Sequence, residues 1–462
     1  MKRICIGKML LFSLLVFCMG ARLGNHFVVY AGFAEGEGSS PLPQFPPVNS
    51  TPVVQSPKPA VSTQPIKPPV YDGKLSFKKK SVKIKKGKTY LLTLKLTKKN
   101  RSGKRITYRS SKPKVATVSK YGKVRGKKAG TTTITAKLGK AKARCKITVE
   151  EIKTITVSAA GDCTLGTDQA IYSSIDFNHI YERKDASYFL KNVKSVFGKD
   201  DLTLVNLEGT LTDRGSRQDK TFAFRGKPEY INILKKGSVE AVSFANNHCF
   251  DYGQVSYDDT VKLLNKNKIT YSSFERIAVR KIKGIRVGMI SVTWTGDTAG
   301  TLRNAIAKMK KKKHDLLIVS FHCGIERDTV PDDTQVMLSR IAIDEGGADL
   351  VIGHHPHVLQ GIEKYHGSYI AYSLGNFCFG GNTNPADKDT MILQQTFTFV
   401  NGKKKADDNL RIIPCCLSST KEYNNYQPTI SKGKEKSRII GKINGYSKIY
   451  GVQFDKNGKV KK

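Results

Sequence analysis

From Ile152 onward the chain alternates β-branched runs with segments of helical periodicity, and this alternation constrains the fold more than any other feature. Runs such as TITVSAAGD, DLTLVNLEG and HDLLIVSFHCG are each followed by a helix-like segment, for example DASYFLKNVKSVFGK. Such alternation is typical of a layered α/β domain. Beyond Thr390 the runs MILQQTFTFV and RIIPCCL predict a closing antiparallel edge, whereas residues 420–445 are predicted to form a loop.

The first residues have the pattern of a secretory signal. Three basic residues precede an apolar run from Met9 to Phe17, and small residues follow up to Ala31. We therefore predict a signal peptide over residues 1–31 and a secreted protein of the extracellular surface, associated with the cell wall or the membrane. The sequence leaves open whether this signal is cleaved or is retained as an anchor.

Residues 32–73 are rich in proline and serine and have no periodic apolar positions. A segment of this composition cannot bury a core, so we predict an extended linker. Nine cysteines fall to seven once the two in the signal region are discounted, and their odd number argues against a disulfide framework. We expect free thiols, with the cysteines near the strand ends packed as small apolar groups.

Positive charge is concentrated in residues 74–150. The chain has a formal net charge of +41, and this segment contributes 27 basic residues against one acidic residue. Because the predicted signal directs it outside the cell, we expect an anionic partner, which could be a wall polymer such as teichoic acid, lipid head groups or polyglutamate, and no nucleic acid. A merely solvated surface is the alternative.

The same segment contains short alternating runs such as TYLLTLKLT and TTTITAKLG, separated by turns with glycine and lysine. This pattern predicts a small all-β sandwich. The stretch ITYRSSKPKVATVSKYGKVRGKKAGTTTITA resembles the bacterial group 2 immunoglobulin-like family. Residues 74–150 are thus expected to form a domain of that family, which the resemblance implies to be an adhesive or spacing module.

Polar residues recur at the carboxyl ends of the predicted strands of residues 151–462, where α/β sheets form their ligand crevice. They are carboxylates, amides and imidazoles: Asp162, Asn206, Glu208, Asn246, Asn247, His248, His322, His354, His355 and His357. A mixed set of oxygen and nitrogen ligands suits zinc, manganese or iron better than calcium. His355 and His357 are alternate residues, and in an extended chain they would point the same way.

Six motifs in residues 155–380 resemble, in order, those of the CapA poly-γ-glutamate capsule-synthesis family. They are AAGDCTLG, VNLEGTL, FANNHCFDYG, FHCGIERDTVPDDTQ, GADLVIGHHPHVLQGIEKY and IAYSLGNFCF. That family is similar to the calcineurin-type metallophosphoesterases. The resemblance implies a metallophosphoesterase-like β-sandwich flanked by helices in residues 151–462, preceded by the immunoglobulin-like sandwich.

The resemblance also implies roles for individual residues. Two divalent transition-metal ions would be bound by Asp162, Glu208, Asn247, His322, His355 and His357. Glu208 would bridge the two ions, and His248 would donate a hydrogen bond or a proton to the reacting oxygen. The first motif departs from the phosphoesterase pattern Asp-x-His, because Asp162 is followed by Cys163-Thr164.

Glu326 and Arg225 are two further candidates for the site, and Asn206 and Asn246, named above, also receive a role. Glu326, four residues after His322, is a candidate catalytic acid or base. Arg225 is predicted to reach the crevice and bind a phosphate or carboxylate, and Asn206 and Asn246 are assigned to substrate binding.

These assignments predict a metal-dependent hydrolase that acts in the synthesis, release or anchoring of poly-γ-glutamate or a similar capsule polymer. One alternative is a non-catalytic scaffold or binding subunit of a membrane-bound polymer synthase, whose subunits would then be partners. Another alternative is a wall-binding adhesin.

Overall fold

The computed structural model describes residues 70–100, 102–406 and 409–461. The predicted signal peptide and almost all of the predicted linker lie outside the described residues. No helix in the described ranges is long and apolar enough to cross a membrane.

Residues 75–150 form nine short strands whose side chains alternate between buried and exposed. These strands are β1 (Leu75–Phe77), β2 (Ser81–Lys85), β3 (Thr89–Leu91), β4 (Leu94–Leu96), β5 (Thr107–Ser110), β6 (Ala116–Val118), β7 (Lys123–Gly126), β8 (Gly130–Leu138) and β9 (Ala141–Glu150). A four-stranded sheet has the order β2-β9-β8-β5, a three-stranded sheet has the order β3-β7-β6, and β1 pairs with β4. Their inward side chains, among them Val124, Ile134 and Ile147, form one core. The predicted all-β sandwich is confirmed.

The remaining strands belong to the part of the chain that follows Glu151. They are β10 (Ile152–Cys163), β11 (Thr167–Asp168), β12 (Leu202–Leu207), β13 (Thr210–Leu211), β14 (Phe224–Gly226), β15 (Ala241–Ser243), β16 (Thr270–Ser272), β17 (Ala278–Ile282), β18 (Ile285–Thr293), β19 (Leu316–His322), β20 (Leu350–His354), β21 (Ile362–Tyr365), β22 (Ser368–Ala371), β23 (Asp389–Val400), β24 (Lys403–Lys404), β25 (Leu410–Cys416) and β26 (Thr429–Ile430).

Eight α-helices accompany these strands. They are α1 (Phe177–Arg183), α2 (Ala186–Phe189), α3 (Lys194–Phe197), α4 (Ile231–Gly237), α5 (Gln254–Lys266), α6 (Thr298–Lys310), α7 (Asp333–Arg340) and α8 (Gly433–Ser447). The Asp332 side chain caps α7 by accepting a hydrogen bond from the Gln335 backbone amide. The Gln335 side chain accepts a hydrogen bond from the Asp332 backbone amide, which completes a capping box. A π-helical turn, Ile341–Glu345, continues α7.

Two large sheets carry the site. The first has the order β16-β15-β12-β10-β23-β25-β26, with β24 paired to β23, and its strands β10, β12, β15 and β16 run parallel. The second has the order β17-β18-β19-β20-β22-β21, with β18, β19, β20 and β22 parallel. The carboxyl ends of the parallel strands form the rim on which ligand sites of α/β sheets lie.

Buried apolar side chains divide this part of the chain into layers. One core contains residues of both sheets, such as Ile155 of β10 and Ile318 of β19, so the sheets pack face to face. A second core joins the outer face of the first sheet to α1–α5, and a third joins the outer face of the second sheet to α6 and α7. The predicted β-sandwich flanked by helices is therefore confirmed.

The prediction of a closing antiparallel edge is confirmed in part. The run RIIPCCL forms β25, which pairs antiparallel with β23 and with the terminal strand β26, whereas β23 pairs with β10 in the middle of the first sheet. The prediction of a loop over residues 420–445 was wrong from residue 433 onward, because Gly433–Ser447 forms helix α8, whose residues Ile439, Ile440 and Ile443 enter the core between the sheets.

The sandwich is joined to the first sheet by a single residue. Strand β9 ends at Glu150 and β10 begins at Ile152. Between them, the Glu151 amide donates to the Asn401 side chain at 2.9 Å, and the Glu151 carboxylate lies 2.7 Å from the Lys86 ammonium.

Candidate metal centre

Asp162 lies at the end of β10, in the middle of the candidate site. A register shift separates Ala160 from Asp162 in the pairing of β10 with β12. The intervening residue is glycine because a Cβ there would lie 1.8 Å from the carbonyl oxygen of Gly375. The Asp162 amide donates to that same oxygen at 3.0 Å, which fixes the position of a fully buried carboxylate.

Strand β12 contributes Asn206 and, directly after its end, Glu208. The Asn206 amide group donates to Asp162 Oδ1 at 2.8 Å. Glu208 is almost fully buried, and its Oε2 accepts a hydrogen bond from Thr164 Oγ1 at 3.0 Å. Its Oε1 has no hydrogen-bond partner in the described structure. This oxygen therefore points into the site with its acceptor capacity unused.

The two sheets meet at His322 and Asn247. His322 ends β19 of the second sheet, and its Nε2 lies 2.9 Å from Oδ1 of Asn247, which follows β15 of the first sheet. The same nitrogen lies 3.4 Å from Glu208 Oε1. The structure thus brings together side chains that are far apart in the sequence, as the strand-end argument predicted.

His355 and His357 follow β20 on a loop with an unusual backbone. Their φ angles are +97° and +59°, and Arg327, whose amide donates to the Pro356 carbonyl oxygen, has a φ of +65°. Non-glycine residues in this region are strained, and such strain is concentrated at functional sites. The prediction that the two imidazoles align because the chain is extended was wrong, although their rings do lie 5.9 Å apart.

The buried groups have shifted pKa values. For Asp162, burial favours the neutral form, but the imidazoles of His354 and His357 outweigh it and hold the pKa well below its usual range. Burial raises the pKa of Glu208 and lowers that of His322. For His357, burial is outweighed by the carboxylates of Glu208 and Asp162, so its pKa rises to about 9.

The donor set fits divalent cations. Asp162 and Glu208 are both buried, and in the described structure their ion-pair partners are histidines, with no lysine or arginine among them. Buried carboxylates without a full counter-charge are costly. Two overlapping groups have ligand atoms within 4.8 Å of one another: Asp162, Glu208 and His357, and Glu326, His355 and His357. The two groups overlap at His357, and the ligand assignments stay predictions.

A cleft of about 560 Å³ opens beside this cluster. His248 lines it, with Nδ1 2.6 Å from Asp251 Oδ2, so the Asp251 carboxylate orients the ring and leaves Nε2 3.9 Å from Glu208 Oε1. Phe224 packs on the His248 ring at a centroid distance of 4.5 Å, and Phe379 packs on the His357 ring at 5.1 Å. An apolar wall thus faces the imidazoles.

Glu326 and Arg327 are exposed residues that line the cleft. The Glu326 carboxylate belongs to the second ligand group, so it lies where either metal binding or proton transfer is chemically possible. Sequence reasoning selected Glu326 but overlooked Arg327. The signal that could have identified Arg327 was its position directly after Glu326 in the sequence.

Three predicted substrate-binding residues do not line the cleft. Arg225 stacks on the Tyr252 ring at 4.2 Å and donates to Gln169 Oε1 at 2.7 Å. It points away because Phe224, its neighbour in β14, takes the cleft side and side chains alternate along a strand. Asn206 and Asn246 are buried and bonded to each other behind Asp162, so the structure favours a positioning role for both.

Two further residues were not assigned from the sequence. His354 is buried, with Nδ1 3.4 Å from Asp162 Oδ1, and neither ring nitrogen has a hydrogen-bond partner in the described structure. Thr164 stands where the phosphoesterase pattern has its first histidine, and it binds Glu208 instead. The doubled histidine in GHHPH was the visible signal for His354.

The cysteines behave as predicted. All seven in the described residues are free, and Cys163, Cys249, Cys323 and Cys378 are buried in the apolar cores. Burial raises the pKa of Cys163 to about 12 and also raises the pKa values of the other three, which disfavours the thiolate that metal ligation needs.

Comparisons with known proteins agree with the motifs. The family model of the bacterial capsule synthesis protein PGA_cap matches residues 156–381, and that of the bacterial Ig-like domain (group 2) matches residues 74–149. PGA biosynthesis protein CapA of Bacillus subtilis (strain 168) is 32% identical over 224 residues, covering 43% of this chain and 59% of that protein. Capsule biosynthesis protein CapA of Bacillus anthracis is 28% identical over 273 residues, covering 53% of this chain and 64% of that protein.

The chain thus spans less than two thirds of the length of either curated relative. Among solved structures, calcineurin-like phosphoesterase YfkN from Bacillus subtilis aligns with a TM-score of 0.35 and 14% identity, over 64% of this chain and 97% of that one. By the two family models, residues 156–381 are similar to the bacterial capsule synthesis protein PGA_cap family, and residues 74–149 are similar to the group 2 bacterial Ig-like domains.

Proposed function

We propose that this protein is a metal-dependent hydrolase of metallophosphoesterase type that acts on poly-γ-glutamate or a similar anionic polymer during capsule synthesis, release or anchoring. The observation that carries the proposal is the pair of buried carboxylates, Asp162 and Glu208, surrounded by imidazoles of which two, those of His248 and His357, line a cleft. The family of residues 156–381 and the names of the two curated relatives support the choice of polymer.

Asp162, Glu208, Asn247, His322, His355 and His357 would hold two manganese, zinc or iron ions. Such ions supply Lewis-acid polarisation of a phosphoester or related bond and a nucleophile at neutral pH. A ligand must be free of its proton. The pKa shifts given above favour the ionised state of Asp162 and the neutral state of His322, whereas Glu208 and His357, whose pKa values are raised, would release a proton on binding metal.

Other side chains of the cleft act on the substrate. His248 is held by Asp251 so that Nε2 faces the cleft, where it can hold or deliver a proton at the reacting oxygen. The exposed Arg327 guanidinium is placed to bind an anionic group of the polymer. Phe224 and Phe379 exclude water from the imidazole side of the cleft and strengthen electrostatic interactions there.

A non-catalytic binding subunit of a membrane-bound polymer synthase is the second candidate. It is favoured by Thr164, which replaces the first histidine of the phosphoesterase pattern and hydrogen-bonds Glu208 instead of offering a nitrogen ligand. Membrane-bound synthase subunits would be its partners. In this case the protein would bind metal and polymer without turnover.

The test uses the full chain, its metal content and its turnover of a small phosphodiester. Wild type should retain one to two transition-metal ions, and Asp162→Asn should lose most of them together with activity. His248→Asn should keep its metal and lose turnover by about 10²- to 10⁴-fold, the usual contribution of a proton-transferring group.

His366→Asn is the matched control, because His366 is an exposed histidine that pairs with Asp344 in the turn between β21 and β22. It should change neither metal content nor turnover. Negligible metal in wild type and variants alike would remove the metal centre. Bound metal without turnover on phosphodiesters or on the polymer would leave the binding-subunit function.

We also infer that the protein works outside the cytoplasm, at the cell wall or membrane. The basic and then apolar N-terminal sequence supports this location. Fractionation of cells expressing the full chain should find it in the wall, membrane or medium, and recovery from the cytoplasm alone would contradict the location.

A further inference from the structure

The outer face of the four-stranded sheet in the immunoglobulin-like domain is an exposed array of positive charge, called here the basic sheet face. Its basic side chains all point outward from β2, β5, β8 and β9: Lys83, Lys85, Arg109, Lys137, Lys142, Arg144 and Lys146. One carboxylate, Glu150, shares this face, and it lies 3.5 Å from the Lys83 ammonium.

The charges form rows on a rigid sheet. Lys142, Arg144 and Lys146 are alternate residues of β9, so their positions repeat about every 6.8 Å along the strand. Across the sheet, Lys142 pairs directly with Lys137. Directly opposed like charges destabilise a sheet, which makes an external counter-charge favourable.

Little of this charge is compensated within the protein. Arg109, Lys137, Lys142, Arg144 and Lys146 are all exposed, and none forms an ion pair with a carboxylate in the described structure. An uncompensated array of this kind attracts polyanions and is screened only over about 8–10 Å at physiological salt.

We propose that the basic sheet face binds a linear polycarboxylate in extended form, lying along β9. The identity of this polymer as poly-γ-glutamate rests on the proposed function. The face offers positive charge to the carboxylates on one side of the polymer, and threonine hydroxyls of β8, such as Thr133 and Thr135, lie between its basic rows as neutral hydrogen-bonding groups.

The repeat length of the polymer is compatible with the β9 row. A γ-linked glutamate has five backbone bonds and spans about 6 Å when extended. Because five is an odd number, successive carboxylates point to opposite sides of the extended chain, and those on one side repeat about every 12 Å. Lys142 and Lys146 are about 13.6 Å apart along β9, and their flexible stems can absorb the difference.

The other sheet of the same domain provides a matched control. Lys123, Arg125 and Lys127 repeat the Lys-x-Arg-x-Lys pattern at and just after β7, and all three are exposed. Their cross-strand neighbours on β3 and β6 are Leu91, Thr89 and Thr117, none of them basic. This row has the same charge as the β9 row, but no basic residue lies opposite it on a neighbouring strand.

The experiment measures binding of the full chain to purified poly-γ-glutamate by calorimetry at low salt and across a salt series. Replacing Lys142, Arg144 and Lys146 with glutamine should weaken binding about tenfold, as expected for three exposed ionic contacts, and should reduce the salt dependence. The same replacement at Lys123, Arg125 and Lys127 should weaken binding less than about threefold.

Equal losses in the two triple variants would overturn the proposal, because binding would then follow net charge and not the array. The absence of binding by wild type would overturn it as well. Teichoic acid, a polyphosphate, is the second probe, and tighter binding to it than to poly-γ-glutamate would contradict the polycarboxylate assignment.

Asp162→Asn separates this proposal from the proposed function. This variant should lose metal and turnover yet keep most of its polymer binding, whereas the β9 variant should keep its metal. Loss of most polymer binding in Asp162→Asn together with unchanged binding in the β9 variant would assign the polymer to the metal centre alone and overturn binding at the basic sheet face.

Discussion

At the scale of single residues, His354 is the side chain whose environment most needs an explanation. It is buried at the end of β20, with both ring nitrogens unpartnered in the described structure and Asp162 Oδ1 3.4 Å from Nδ1. A buried polar group normally has a partner. Its closest carboxylate is a predicted metal ligand, which suggests that His354 orients that ligand.

We therefore predict that His354→Asn weakens metal binding by about tenfold or more, the usual effect of removing a group that positions a ligand. The measurement is a metal dissociation constant, obtained by competition with a chelating dye. His366→Asn should leave this constant unchanged, and an unchanged constant in His354→Asn would show that His354 only fills space.

Most members of the cluster could be selected from the sequence, because each follows a recognisable strand and belongs to a motif. Their arrangement could not, since it depends on backbone conformation. The positive φ of His355 turns the chain, so alternation along a strand failed to describe the GHHPH segment. Alternation along a strand does describe β14. Because Phe224 lines the cleft, its neighbour Arg225 points away from it.

At the scale of elements, α8 shows why one helix was overlooked. Gly441 and Gly445 interrupt its sequence and lower its helix propensity, while its apolar stripe is short. The helix forms because Ile439, Ile440 and Ile443 bury their side chains in the core between the two sheets. Tertiary packing here outweighs local propensity, as it does in most short helices.

Two substitutions in α8 should therefore have opposite effects. Gly441 is exposed in the helix interior, and an added Cβ would meet no atom within 4 Å, so Gly441→Ala should stabilise the protein by about 0.5–1 kcal/mol. Ile443→Ala should destabilise it by about 2–5 kcal/mol through lost packing. Chemical denaturation measures both, and a destabilising Gly441→Ala would contradict a regular helix at this position.

At the scale of the whole molecule, repulsion within the concentrated positive charge lowers stability. The patterns of strands and of buried residues do not reveal this effect. The sequence predicted the three-part order of linker, sandwich and α/β domain from composition and periodicity. It did not predict which of the basic residues would share one sheet face, because this depends on which strands become neighbours. The pairing of β9 with both β2 and β8 creates the array.

We predict that salt stabilises the protein in the absence of polymer. Thermal unfolding of the full chain should shift upward by a few degrees between about 20 mM and about 200 mM sodium chloride, because screening weakens repulsion within the array. The β9 triple variant should show a smaller shift than the β7 triple variant. A melting temperature that falls with salt would mean that attractive ion pairs dominate instead.

The one-residue joint between β9 and β10 has a consequence for polymer length. Strand β10 runs from this joint at Ile152 to Asp162, and ten steps of an extended strand span about 33 Å. At about 6 Å per γ-linked residue, a polymer held at the joint end of the basic sheet face would need five or six residues to reach the metal centre. If the metal centre cleaves the polymer as proposed, the distance between the two sites sets the shortest fragment that can remain attached after cleavage.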